Sequence, residues 1–138
     1  MPSSIRLSVI LPVKNGQRHL EAALQSVQNN CAAQDELIVV DDCSTDGTAK
    51  ILQAFKPGLA FTVVQGRGQG PIHARNDGLR VAQGNYITFL DHDDYWPVQR
   101  VASHLEVLSA QLNIAVVTGK TQYVSELPDD ERLVPRHW

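Results

Sequence analysis

Cysteine and long apolar runs are both scarce in this 138-residue sequence. The two cysteines, Cys31 and Cys43, form no CxxC pair and are too few for a disulfide framework, which excludes the small disulfide-stapled folds. No apolar stretch approaches the roughly 18–20 residues of a membrane-spanning helix, and the first residues lack the basic head and apolar core of a signal peptide. We therefore expect a reduced, cytoplasmic protein, either free or held peripherally at the inner face of a membrane.

The sequence also lacks an excess of basic over acidic residues. The 12 Lys and Arg residues are outnumbered by 15 Asp and Glu residues, giving a net charge of −3. Because general nucleic-acid binding depends on neutralising phosphates with Lys and Arg, we expect no nucleic-acid partner. A hydrophobic fraction of 43% and a charged fraction of 20% are ordinary for a globular protein, so the composition excludes a disordered chain.

Short apolar runs alternate with segments of helical periodicity along most of the chain. The strand-like runs are Leu7–Leu11 (stopped by Pro12), Glu36–Asp42, Phe61–Val64, Tyr86–Leu90 and Ile114–Thr118. The helical segments are about 19–29, a segment ending before Pro57, 72–82 (closed by Gly84) and 98–112. Because successive parallel strands need a crossover that is usually a helix, the alternation predicts a mainly parallel, open α/β sheet with helices on both faces.

The last part of the chain, residues 120–138, has no clear periodicity and contains two prolines. We expect a single domain over residues 1–138 in which this part is an irregular tail. Its apolar residues Val134 and Trp138 have no evident partner within the tail. Left exposed, such apolar groups favour either disorder of the tail or docking onto another copy of the chain, which would be self-association through the tail.

Polar residues follow three of the predicted strands, at the edge where open α/β sheets bind their ligands. The first strand leads into residues 12–16, the second ends in Asp41-Asp42, and the fourth leads into Asp91-His92-Asp93-Asp94. In an extended segment Asp91 and Asp93 point to the same side. Paired carboxylates suit Mg²⁺ or Mn²⁺ beside a diphosphate, whereas a solvated acidic loop is the alternative for this motif taken alone.

Two further features leave alternatives open. Gly66, Gly68 and Gly70 follow the third predicted strand rather than the first, so they do not form a dinucleotide-binding fingerprint and indicate a mobile loop. Arg75 stands near the start of a predicted helix. There it would either help to bind an anion or pair with a strand-end carboxylate such as Asp91.

Four blocks of the sequence together resemble the family 2 glycosyltransferases, which have the GT-A fold. The blocks are residues 8–16, 36–48, 70–79 and 82–94, and they stand in the family's order and at its spacing. The resemblance covers about residues 6 to 119. It implies a domain that binds the donor, a nucleoside-diphosphate sugar of the UDP or TDP type, while the acceptor-binding half is not recognisable in this sequence.

The resemblance implies roles for residues around the nucleotide base. Pro12 and Val13 would line the base pocket, and Asn15 stands in the same nucleotide-binding block. Asp42 would accept a hydrogen bond from the imide N–H of uracil or thymine, so UDP or TDP should bind better than ADP or CDP. Lys14 departs from the family pattern, because an aromatic residue is common at this position.

The resemblance also implies roles around the diphosphate. Asp91 would contact the ribose or the diphosphate, and Arg75 belongs to the third matching block. Asp93, with Asp91, would hold a Mn²⁺ or Mg²⁺ ion.

The implied reaction is an inverting transfer of the sugar to an acceptor hydroxyl, with the sugar and the acceptor unspecified. The family's general base belongs to a later acidic block that we do not find, so the catalytic residue is unassigned. Two alternatives stay open: a nucleotide-binding module without catalysis, and a nucleotidyltransferase-like domain. The weakly basic, glycine-containing segment 14–18 favours the second of these only slightly.

We predict that the 138-residue chain alone binds nucleotide without transferring sugar. A positioned base contributes typically 10²–10⁴-fold to a rate, and orientation of the acceptor supplies much of the remaining acceleration. The measurement is sugar transfer from UDP-sugars to a panel of hydroxyl acceptors. Robust transfer by this chain would contradict the prediction, whereas transfer gained only in a longer chain would support it.

Overall fold

A computed structural model describes residues 5–122 of the chain. Four strands alternate with four helices in that part. In chain order they are β1 (Leu7–Val13), α1 (Leu20–Asn30), β2 (Glu36–Asp41), α2 (Thr48–Ala54), β3 (Ala60–Gln65), α3 (Pro71–Val81), β4 (Tyr86–Phe89) and α4 (Arg100–Ala110).

The four strands form one fully parallel sheet in the order β3-β2-β1-β4. The chain moves outward from β1 through β2 to β3, and then returns past both to place β4 on the other side of β1. The strand order therefore reverses between β1 and β4. In open α/β sheets a reversal of this kind opens a crevice at the carboxyl ends of the two strands.

The same reversal puts helices on both faces of the sheet, as the sequence predicted. Parallel crossovers are right-handed, so α1 and α2, which cross in one direction, lie on one face and α3 lies on the other. On the α3 face, Ala74 of the helix packs with Ile38 and Val40 of β2. The side chains of β1 and β2 are buried on both faces, so the core is centred on these two strands.

The outer strands are much more exposed than the central ones. β3 forms one edge of the sheet, and β4 has β1 as its partner within the described residues. Ile87 and Phe89 of β4 are each 41% exposed although both are large and apolar. Since they pair in register with Ser8 and Ile10, they lie on the face that α3 covers farther along the sheet.

The predicted stop of the first strand at Pro12 is wrong, because β1 continues to Val13. The carbonyl of Ile10 accepts a hydrogen bond from Leu90 N–H, and the carbonyl of Val13 accepts one from Asp42 N–H. Because the backbone polar groups of successive strand residues point to opposite neighbours, those of residue 12 point toward β4. The pairing of β1 with β4 has already ended there, since its last pair is Ile10 and Phe89. Pro12 lacks an N–H group, but no strand partner is present there to require one.

Gly84 does not close α3, contrary to the sequence prediction. The helix ends at Val81, and its C-cap is Ala82 in an extended conformation. A Cβ atom at Gly84 would lie 2.5 Å from the backbone nitrogen of Ser8. Glycine is needed at this position because two backbone segments approach closely, and helix capping plays no part.

The predicted fifth strand at residues 114–118 is also wrong. This segment has no strand conformation within the described residues, and Val116 in it is 75% exposed. An apolar run becomes a strand only when a neighbouring strand completes its hydrogen bonds. The segment belongs to a second compact unit that begins at His104, in which Ile114 N–H donates to the carbonyl of Gln111. Within residues 5–122, no helix is long and apolar enough to cross a membrane.

We predict that Gly78→Ala destabilises the fold by about 1–3 kcal/mol, the usual cost of overpacking a core. A Cβ atom at Gly78 would lie 2.6 Å from Cγ2 of Ile10 and 3.3 Å from Cγ2 of Val40, so α3 would be pushed away from the sheet. The measurement is the free energy of unfolding in urea. Gly58→Ala is the matched control, because a Cβ there meets no atom within 4 Å. Equal stability of the two variants would contradict this account of the α3 packing.

Candidate functional site

A cavity of about 270 Å³ opens at the carboxyl ends of β1, β2 and β4, beside the first turn of α3. This is the crevice that the reversed strand order predicts. Its lining residues come from four chain segments: Pro12, Val13, Lys14, Asp42, Gly70, Pro71, Ala74, Arg75, Asp91, His92 and Asp93. Six of the seven residues that the sequence singled out for binding are thus brought together, and Asn15 is the exception.

Asp42 holds the loop between β3 and α3 against the end of β2. Its Oδ1 accepts a hydrogen bond of 2.7 Å from Gly68 N–H, and its Oδ2 accepts one of 2.8 Å from Gly70 N–H. Burial favours the neutral carboxyl, but these backbone donors together with the charge of Lys14 outweigh it and lower the pKa of Asp42. The carboxylate is therefore ionised, fixed and only 3% exposed at the edge of the cavity.

The backbone conformation of this loop and its contact with Asp42 explain why glycine occurs at three of its positions. Gly68 and Gly70 have φ angles of +72° and +92°, which side chains disfavour. At Gly66 a Cβ atom would lie 2.6 Å from Oδ1 of Asp42. The loop is thus bound to Asp42 rather than unattached, and the expectation of a mobile loop missed this attachment. The alternating glycines serve the backbone contact with the carboxylate.

Arg75 forms an ion pair with Asp91, which confirms one of the two roles expected for it. Nη2 of Arg75 donates to Oδ1 of Asp91, linking the second turn of α3 to the end of β4. The side chains are 31% and 47% exposed, so water screens the pair and its contribution to stability is about 1 kcal/mol at most. Both side chains still line the cavity, where the pair fixes the position of each.

The acidic segment after β4 forms a turn and is not the extended segment in which Asp91 and Asp93 would point to the same side. Asp94 N–H donates to the carbonyl of Asp91 at 3.1 Å, which turns the backbone at residues 92 and 93. As a result Asp91, His92 and Asp93 all line the cavity. Burial, followed by the negative charges of Asp93 and Asp91, raises the pKa of Asp94.

The carboxylate oxygens at this turn suit a metal ion whose remaining coordination positions are filled by a bound ligand and water. Within residues 5–122, no three His, Cys, Asp or Glu side chains are grouped as metal ligands. Asp91 and Asp93 nevertheless both line the cavity, two residues apart in the chain. Mg²⁺ and Mn²⁺ suit such a sparse oxygen set, since Mg²⁺ in particular keeps several waters and is bound through one or two carboxylates plus substrate phosphates.

Asn15 lies beside the cavity and joins two loops. Its Oδ1 accepts a hydrogen bond of 2.8 Å from Thr45 N–H, and its own N–H donates to Oγ of Ser44 at 2.9 Å. The φ angle of Asn15 is +53°, a left-handed conformation that asparagine tolerates. These contacts fix the loop that carries Lys14, so in this structure Asn15 positions its neighbour.

Five lining residues were not among the predicted site residues, and two of them, Lys14 and His92, have ionisable side chains. Lys14 departs from the family pattern, and His92 stands between the two predicted metal ligands Asp91 and Asp93. Both are adjacent in sequence to predicted residues, but only the turn at residues 92–93 and the end of β1 bring them into the cavity. His92 also packs against Gly16, where a Cβ atom would lie 2.9 Å from its ring.

Comparison with known sequences matches the chain to a family model and to several glycosyltransferases. Glycosyl transferase family 2 matches residues 8–135. The chain is 38% identical over 104 residues to the putative teichuronic acid biosynthesis glycosyltransferase TuaG of Bacillus subtilis, covering 74% of this chain and 41% of that protein. It is 30% identical over 105 residues to the UDP-Glc:alpha-D-GlcNAc-diphosphoundecaprenol beta-1,3-glucosyltransferase WfaP of Escherichia coli, covering 76% and 42%.

Solved structures with the same fold include two bound to nucleotide sugars. TarS 1–349 of Staphylococcus aureus in complex with UDP-GlcNAc superposes with a TM-score of 0.72 at 30% identity, over 77% of this chain and 32% of that one. The mannosyltransferase PcManGT of Pyrobaculum calidifontis in complex with GDP-Man and Mn²⁺ superposes with a TM-score of 0.71 at 30% identity, over 79% and 34%. The chain spans less than half the length of these relatives.

We predict that Asp42→Asn lowers the free energy of unfolding by about 1–3 kcal/mol at pH 7, because a buried donor is left unsatisfied. The amide NH₂ would face Gly68 or Gly70 N–H, a donor opposite a donor. The measurement is urea unfolding as a function of pH. Glu106→Gln, on the exposed face of α4, is the control and should change stability by less than about 0.5 kcal/mol.

The pH dependence of the free energy of unfolding, compared between wild type and Asp42→Asn, is a second readout. The folded pKa of Asp42 lies below its unfolded value of about 3.9. Its stabilising contribution is therefore complete above that unfolded value and is lost as the pH falls through the lower, folded pKa. The difference between wild type and Asp42→Asn should shrink at acid pH. A difference that stays constant from pH 7 to pH 3 would contradict the role of the ionised carboxylate.

Proposed function

The chain belongs to glycosyl transferase family 2, and on that basis we propose that it is the donor-binding domain of an inverting, metal-dependent glycosyltransferase. The observation that carries the proposal is the cavity at the reversal of strand order, which collects Pro12, Val13, Asp42, Asp91 and Asp93. The complexes of similar proteins with UDP-GlcNAc and GDP-Man support a nucleotide sugar as the ligand. The family match does not favour a nucleotidyltransferase-like domain or a module without a glycosyltransferase role.

In this proposal the nucleotide lies across the ends of the strands. Pro12 and Val13 form an apolar wall for the base, and Asp42 accepts the imide N–H of uracil or thymine. The carboxylate is suited to this, since each of its oxygens has one loop donor and keeps capacity for a further hydrogen bond. UDP and TDP sugars are the favoured donors.

The diphosphate then extends toward the turn after β4. We propose that Asp93, with Asp91, holds Mn²⁺ or Mg²⁺, which when bound would offset the negative charge of the departing nucleoside diphosphate. Arg75 holds Asp91 in place through their ion pair, and its remaining N–H groups are available to phosphate oxygens. The Mn²⁺ present in the PcManGT complex supports a divalent ion at a site of this fold.

The proposed reaction is a single displacement at the anomeric carbon. The acceptor hydroxyl forms a bond to that carbon, the bond to the nucleoside diphosphate breaks, and the hydroxyl proton passes to a general base. No described residue in the cavity is assigned as that base. Residues 5–122 therefore account for donor binding and leaving-group stabilisation, and inactivity of the isolated chain is part of the proposal.

We also propose a cytoplasmic location, peripheral to the inner face of a membrane. The support is the name of the WfaP relative, whose acceptor is linked to diphosphoundecaprenol. The acceptor of this chain is left unassigned. The proposed self-association involves residues 120–138, of which all but the first three lie outside the described residues.

We predict that UDP binds more tightly with Mn²⁺ or Mg²⁺ than with chelator, and that Asp93→Ala removes this difference. The expected loss is tenfold or more, because the ion would link the carboxylate to the diphosphate. The measurement is isothermal titration calorimetry with UDP in Mn²⁺ and in EDTA. Asp94→Ala is the matched control: it removes the same charge from the next residue, which does not line the cavity.

Two results would count against the proposal. If UDP fails to bind under any condition, the proposed donor site is wrong. If UDP binds equally well with Mn²⁺ and with EDTA, or if Asp94→Ala is as damaging as Asp93→Ala, the metal site is not at Asp93.

A further inference from the structure

Lys14 stands beside Asp42 at the entrance to the base pocket. The last paired residues of β1 and β2 are Val13 and Asp41, and Asp42 N–H donates to the carbonyl of Val13 at 2.8 Å. Lys14 and Asp42 are therefore the next residues along two neighbouring strands, and both line the cavity. An amine donor and a carboxylate acceptor are thus presented next to each other.

The ammonium group of Lys14 is not engaged elsewhere in the described part of the chain. None of the ion pairs or hydrogen bonds seen within residues 5–122 involves the Lys14 side chain. The other basic side chain of the cavity, Arg75, is paired with Asp91 on the β4 side. Lys14 is also exposed, so its ammonium can reach a ligand without first breaking a contact.

Asp42, by contrast, cannot move to suit the ligand. Both of its oxygens are fixed by the loop N–H groups of Gly68 and Gly70. A ligand that binds at the ionised Asp42 must therefore present a donor to it, and Lys14 lies at the adjoining strand end. The pair acts as a fixed acceptor with an adjustable donor beside it.

We propose that Lys14 is a specificity-determining residue, which donates a hydrogen bond to the O4 carbonyl of uracil or thymine while Asp42 accepts from N3–H. The inference rests on the proposed donor-binding function. Uracil and thymine carry a donor at N3 and an acceptor at C4, which matches this pair. Cytosine has the opposite pattern, with an acceptor at N3 facing the carboxylate and an amino group at C4 facing the ammonium. Cytosine therefore offers no acceptor to the ammonium and places an acceptor against the buried carboxylate, and a site built to hydrogen-bond a ligand group discriminates against an analogue that lacks it.

The test is the ratio of UDP to CDP affinity in the 138-residue chain, measured by calorimetry in Mn²⁺. The two ligands have the same ribose and diphosphate, so any contact of Lys14 with phosphate cancels in the ratio. In Lys14→Met we expect the UDP:CDP ratio to fall about tenfold, equivalent to about 1.4 kcal/mol. Lys14→Arg retains a donor and should keep most of the ratio. Lys14→Glu presents an acceptor to the cytosine amino group and should lower the ratio below that of Lys14→Met.

The possible outcomes separate this inference from the proposed function. Binding of UDP by wild type, with an unchanged UDP:CDP ratio in Lys14→Met, would overturn the inference and leave the donor site intact. Equal weakening of UDP and CDP would assign Lys14 to the diphosphate and also overturn it. No binding of either nucleotide by wild type would refute the proposed function itself. Circular dichroism melting of each variant verifies folding, which an exposed side chain should not disturb.

Discussion

The parallel arrangement of the sheet is the constraint on which the site depends. All four strands end at the same edge, and the order β3-β2-β1-β4 places the reversal between β1 and β4. Since α3 crosses back on the opposite face from α1 and α2, no crossover helix covers the ends of β1 and β4. Residues that are 29 to 80 positions apart in sequence, such as Val13, Asp42 and Asp93, meet there because the strands that carry them end at the same edge.

Two carboxylates at this edge have different surroundings, which suit the different tasks that we propose for them. Asp42 is buried and held by two backbone donors, so it presents a fixed charge to the base end of the cavity. Asp93 is exposed on a turn, where it can approach an ion together with substrate oxygens. Asp91 is partly neutralised by Arg75, which limits repulsion within the acidic turn. In the proposed function, the site thus separates rigid recognition of a base from flexible binding of a charged group.

Much of the fold and most of the site were predictable from local patterns. Apolar runs with helical segments between them predict the four strands. Six of the seven binding residues that were expected from the strand ends, the start of α3 and the family resemblance line the cavity. The errors fall where a distant partner decides the outcome. Pro12 extends β1 because β4 has already ended, and residues 114–118 are no strand because no neighbouring strand pairs with them. The attachment of the glycine loop to Asp42 had no local signal, since the two are about 26 residues apart.

The exposed side of β4 has a consequence for the behaviour of this chain in solution. Within the described residues its outer edge lacks a strand partner, and Ile87 and Phe89 present apolar surface beside it. An uncovered edge strand of this composition is a template for pairing with other chains, and it carries none of the lysine or proline residues that usually prevent this. Where no other part of the chain covers this edge, pairing with another copy through β4 is therefore expected at high concentration, and a charged residue at position 87 would reduce it.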